Sequence, residues 1–214
     1  RDLPYDDSGW PVFERGVSNL VKPLNLLLDL VSIIEWLEAI EQGDASYNSA
    51  IDTTLTGMNK AVTASRTLAS APKFFNVVLG EKTFTNNADK EFVKIKFTET
   101  FLNIINSQRE LEYQMFKAPA YEWKQFVGAV LPQCHSLTLL NLSQTELQVD
   151  IREIVDSVGS TLKFLNLSET GCTGDIKIMA MAPKLEHINL SKTRIGGDIS
   201  VFSKNTPNMQ YLEL

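Results

Sequence analysis

The sequence predicts an α+β chain: an N-terminal antiparallel helical bundle followed by a short solenoid with a parallel sheet on its concave face. Two observations carry this. The stretch 137–214 repeats itself, with Leu137, Leu162, Leu185 and Met209 at spacings of 25, 23 and 24 residues. Upstream of it, long stretches place apolar residues at helical steps. At 214 residues, 43% hydrophobic and 21% charged, the chain has the composition of an ordinary globular protein of one or two domains. The expected division is 1–118 for the helices with an extended N-terminal segment. Residues 119–214 then hold a capping helix and about three and a half repeats.

Each repeat opens alike: Leu137-Thr138-Leu139-Leu140-Asn141-Leu142-Ser143, then Leu162 to Ser168, Leu185 to Ser191, and a last copy Met209 to Leu214. Residues two apart share one side of a strand, so Leu140/Leu142, Leu165/Leu167 and Ile188/Leu190 should face a common interior. A Ser-x-Thr step follows, at Ser143/Thr145, Ser168/Thr170 and Ser191/Thr193, and the threonine hydroxyls can satisfy turn backbone groups. Next come Val149-Asp150-Ile151, Gly174-Asp175-Ile176 and Gly197-Asp198-Ile199. The glycines permit a positive-φ turn, the isoleucines return inward, and the aspartates can cap the backbone of the return segment. Stacked roughly 4.8 Å apart, uncompensated carboxylates would repel, so capping accounts for them better than a calcium row does. Of the return segments, 152–157 reads as helical and 200–206 as short and irregular.

The period and the L-x-x-L-x-L core resemble the leucine-rich repeat. The resemblance implies one short parallel strand, a turn and a return segment per repeat, stacked into a curved solenoid. Thr145, Thr170 and Thr193 stand where that family usually has asparagine. The Gly-x-Ile turn is similar to that of plant-type repeats, without the proline that often follows.

Upstream, residues 1–16 are turn-rich and read as extended. Helices are expected at 17–40, 46–70, 88–116 and 120–131. The first is apolar on most sides, yet Lys22, Asp29, Glu35 and Glu38 rule out a membrane span. Residues 71–87, with Phe74-Phe75-Asn76-Val77-Val78-Leu79, read as a packed loop or short hairpin. The fourth helix, with Trp123, Phe126, Val127 and Val130 on one face, should cover the N-terminal edge of the repeat core. Helical subunits of this size that open on a Trp-Pro step, here Trp10-Pro11, resemble the extrinsic PsbQ-like proteins of photosystems. The start at Arg1 reads as processed, which suggests an organellar protein after removal of a targeting peptide, and the end in mid-repeat reads as truncated.

A net charge of −6 with no basic stripe argues against a nucleic-acid partner. Cys134 and Cys172 have neither metal-site nor disulfide-framework spacing and are expected to be free. Cys134-His135 does not make a nucleophile, because adjacent side chains rarely converge and no acidic partner is suggested. Leu79-Gly80-Glu81-Lys82-Thr83 lacks the first glycine of a phosphate loop. The three Asn-Leu-Ser sequons fall within paired strands and are by-products of the repeat. No catalytic, cofactor or metal residues are expected.

Pointing outward between the core leucines should be Leu139, Phe164, His187 and Tyr211 in one row, Asn141, Asn166, Asn189 and Glu213 in the next, and Ser143, Ser168 and Ser191 in a third. An apolar and aromatic row beside amides suits a protein partner; the competing reading is that the helical region covers it or that it only fills tight curvature. The expected function is a non-enzymatic protein–protein interaction or scaffold protein. The alternative is a peripheral structural subunit of a large organellar membrane complex such as a photosystem, anchored by its helices.

Overall fold

A computed structural model describes residues 7–21 and 67–214. The expected helix at 17–40 lies outside the described residues beyond Val21, and so does the expected helix at 46–70 up to residue 66; 67–70 are not helical. Helix is already present well before residue 17. α1 runs Gly9–Val21 rather than starting after an extended segment. Pro11 sits in its first turn, where the missing N–H leaves no helical bond unmade.

The stretch read as a loop or hairpin is instead a helix, α2 (Pro72–Glu81), with Pro72 at its start. Phe75 and Leu79, four apart, turn toward α3 (Asn87–Ser107), where Phe75 stacks on Phe97 with ring centroids 4.0 Å apart. The valines that suggested a strand, Val77 and Val78, are left exposed. Asn86 caps α3 by accepting from the Ala88 N–H at 3.1 Å, and Val93, Phe97, Phe101 and Ile105 form its buried side.

α3 stops nine residues short of the expected Phe116. Its last expected turns are a strand, β1 (Glu110–Glu112), with Leu111 and Tyr113 buried and Glu110 and Glu112 exposed. Leu111 and Met115 suggested helical spacing, but the alternation around Leu111 and Tyr113 is that of a strand. The competing principle was pairing: β1 offers hydrogen bonds to β2 (Leu139–Asn141) that a helix could not.

The sheet holds five parallel strands, β1, β2, β3 (Phe164–Asn166), β5 (His187–Asn189) and β7 (Tyr211–Glu213), in that order. Register keeps Leu140, Leu165, Ile188 and Leu212 level. Leu140, Leu142, Leu165, Leu167, Ile188 and Leu190 are all at most 3% exposed, so the inward set expected from the repeat forms one interior. A smaller parallel pair, β4 (Thr173–Asp175) with β6 (Arg194–Gly196), lines the return side. Between β2 and β3 the return segment is the expected helix, α5 (Ile151–Val158), apolar on the side of Ile151, Ile154, Val155 and Val158. The last return segment is not irregular but a short helix, α6 (Ser200–Asn205), seated through Val201 and Phe202.

Beneath β1, α4 (Ala120–Gln125) continues through a π turn (Phe126–Val130) and a 3₁₀ turn (Leu131–Gln133). Pro132 cannot donate to the carbonyl four residues back, and its ring crowds that turn, which widens the helix just upstream. Tyr113, Phe116, Trp123 and Phe126 meet there edge to face, at centroid separations of 5.2 to 6.3 Å. This aromatic plug closes the core behind β1, the role expected of the fourth helix alone.

The aspartates cap as expected. Asp150, Asp175 and Asp198 accept from the N–H groups of Arg152, Lys177 and Ser200 at 2.8, 2.9 and 2.9 Å. Gly174 and Gly197 adopt φ of 122° and 124°, where a side chain is strained. The Asp of the preceding turn occupies the vacated space: a Cβ on Gly174 would lie 2.7 Å from Asp150 Oδ1. Gly174→Ala should therefore destabilise the fold by about 2 kcal/mol through backbone strain. Asp150→Ala added to it should not restore stability, since φ is unchanged and a cap is lost. Urea unfolding midpoints of the two variants check this.

Candidate docking surface on the open sheet face

Strand register turns the expected outward rows into physical lines across the sheet. Leu139, Phe164, His187 and Tyr211 stand level with one another, and β1 adds Glu110 to the same line. The next line runs Glu112, Asn141, Asn166, Asn189 and Glu213. Leu139, Phe164 and His187 are half-buried by their own neighbours, and Tyr211 is 49% exposed. Phe164, His187 and Tyr211 lie ring beside ring, with centroids 6.2 and 6.3 Å apart and tilts of 36° and 32°. Among the described residues no helix packs over this face: α1, α2 and α3 pack on one another, and α5 lies on the return side.

The asparagines do more than decorate the surface. Each side-chain oxygen accepts the backbone N–H of the serine two residues on, at 3.2, 3.0 and 2.9 Å for Asn141, Asn166 and Asn189. Such a turn bends the chain out of the strand. Ser143 and Ser191 hydroxyls also donate to those oxygens, at 2.7 and 2.8 Å. In the third expected row Ser143 is only 1% exposed with its hydroxyl committed, whereas Ser168 and Ser191 are half-buried. The amide nitrogen of Asn189 donates to Glu213 at 2.7 Å, while those of Asn141 and Asn166 have no side-chain or backbone partner among the described residues.

The residue between serine and threonine is left-handed in every repeat, with φ of 57° at Gln144, Glu169 and Lys192. Such a conformation is costly for a residue with a Cβ. The threonine helps hold it: Thr145, Thr170 and Thr193 donate to the carbonyls of Leu142, Leu167 and Leu190 at 2.7, 2.6 and 2.6 Å. The ladder expected of the threonines is thus made of hydroxyl-to-strand bonds. Outside it, Gln114, Gln144, Glu169 and Lys192 form a second chain of side-chain bonds, at 3.4, 3.4 and 3.1 Å. Lys192, through its hydrogen bond, holds the Glu169 carboxyl below the usual range.

Sequence reasoning missed Glu110, Glu112 and Gln114, because β1 is separated from β2 by 29 residues and lacks the leucine consensus. The available signal was the alternation Glu110-Leu111-Glu112-Tyr113, with Met115 sharing the left-handed φ (60°) of the later repeats.

Both cysteines are free and buried. Burial pushes the Cys134 thiol from an ordinary 9.0 up to about 12, and raises that of Cys172. Burial also raises the Tyr113 hydroxyl. Each group holds its proton more tightly when folded, so the unfolded chain is the better acid. These groups therefore cost no stability below about pH 9, and stability falls as pH rises toward 12. Two measurements check this. Unfolding midpoints should drop progressively above pH 9, and an aromatic disulfide reagent at pH 8 should label both cysteines quickly only in denaturant.

No protein-family model matches this chain and no curated protein matches it, so its functional reading rests on geometry.

Proposed function

We propose that the chain is a non-enzymatic protein-interaction or scaffold protein of leucine-rich-repeat type. Its stacked repeats form a short solenoid, and its docking surface is the concave side of that solenoid. One observation carries the reading. Leu139, Phe164, His187 and Tyr211 form a line of apolar and aromatic side chains left partly open to solvent, while Leu140, Leu165 and Ile188 beside the first three are inside. Aromatic side chains in such positions supply most of the contact energy at protein interfaces. The amide line beside them can hydrogen-bond a partner's backbone and set its position.

Phe164→Glu and Tyr211→Glu should each weaken capture of the native partner by about thirtyfold, in line with about 2 kcal/mol for a central aromatic. Both side chains lie on the outer face, so thermal unfolding should stay unchanged. Binding that survives both substitutions would refute the reading.

A second reading has its own observation. Phe92, Ile95 and Leu102 are 53%, 58% and 39% exposed on one side of α3. Such a stripe suits a helical anchor in a peripheral subunit of a membrane complex; no described helix is long and apolar enough to cross a membrane itself. In that case Phe92→Lys with Ile95→Lys should release the chain from its assembly, and Phe164→Glu should not.

A further inference from the structure

The charge on the two outward lines is one-sided. Glu110 and Glu112 stand on β1 and Glu213 on β7, and neither line contains a lysine or arginine. Glu110 and Glu112 have no side-chain hydrogen bond or ion pair among the described residues. Glu213 receives the Tyr211 hydroxyl (2.6 Å) and the Asn189 amide (2.7 Å), both on Oε2, which leaves Oε1 open. The cations nearby are in the flanking lines and mostly engaged: Lys163 with Glu186 at 2.8 Å, Lys192 with Glu169 at 3.1 Å. Arg109 flanks β1 without an ion pair among the described residues, and leaves the face net negative.

Resting on the docking role proposed above, we infer that the occupant of this face is an extended basic segment of a partner protein, with a lysine or arginine at each end and apolar residues between. From β1 to β7 there are four steps of roughly 4.8 Å, so the carboxylates on these two strands lie about 19 Å apart. An extended chain rises about 3.3 Å per residue, which sets the two cations about six residues apart. The end arginines would meet carboxylates with open oxygens, the strong form of hydrogen bond. In between, Phe164 and Tyr211 present ring surface to apolar side chains, and Tyr211 beside Glu213 can also hold a guanidinium over its ring. A nucleic acid or an anionic membrane would face like charge here, and so would a second copy of a chain of net charge −6.

A random heptapeptide library displayed on phage, panned on the full chain and on its Phe164→Glu variant, tests this. Peptides retained by the parent and lost on the variant should carry lysine or arginine near both ends. A synthetic copy with those ends changed to glutamate should bind about tenfold more weakly, and affinity should fall with added salt. The variant Glu110→Lys/Glu112→Lys/Glu213→Lys, with its thermal unfolding unchanged, should select acidic ends instead.

Phe164-dependent peptides that are neutral or acidic, or a basic preference that survives charge reversal, would overturn the basic occupant while leaving the docking face in place. Recovery of no Phe164-dependent peptide would remove both. Self-association of the full chain abolished by Phe164→Glu would assign the face to a second copy, and so overturn the inference as well.

Discussion

The structure depends on one repeated exchange: each short strand passes its hydrogen bonds to the next in constant parallel register. The backbone N–H groups of Leu142, Leu167 and Leu190 reach the carbonyls of Asn166, Asn189 and Glu213 at 2.9, 2.9 and 2.8 Å. Constant register keeps leucine over leucine, so the inward side chains of adjacent strands and the apolar sides of the return segments share one core. Burying one such side chain is worth about 1.5–3 kcal/mol, and the set together supplies the core. The same register sorts the remaining side chains into continuous lines. A face with aromatics in one line and amides in the next follows from it without further design.

Because each strand needs a neighbour, the β1 flank of the sheet is where sequence must depart from the repeat. At the β1 end the departure is large. Tyr113 replaces leucine in the inward position and brings the edge-to-face plug of Phe116, Trp123 and Phe126, filling a space that would otherwise take another repeat.

Turn chemistry is divided among three residue types with separate tasks. Asparagine ends the strand by accepting from the serine N–H. The next residue takes a left-handed φ, and threonine bonds back to the strand carbonyl it has just passed. Further on, the aspartate of one turn sits in the space left by the glycine of the next, so successive return segments are keyed together. Polar residues here specify stacking distance as much as they satisfy backbone groups. The oxygens of these asparagines are committed to the turns, which leaves the amide nitrogens of Asn141 and Asn166 as the donors this line can offer a partner.

Periodicity by itself determined the inward leucines, the outward lines, the aspartate caps and the positive-φ glycines. Each depends on contacts within a repeat or between identical neighbours, and repetition writes such contacts into the sequence several times over. Singular features escaped it. Residues 110–112 became a strand because β2 had an open edge to pair with, and residues 72–81 became a helix because α3 offered Phe97 to Phe75. Neither partner is near in sequence. The grouping of carboxylates on the open face was likewise decided by tertiary structure, since Glu110 and Glu213 join one surface only when β1 and β7 enter the same sheet four strand-to-strand steps apart.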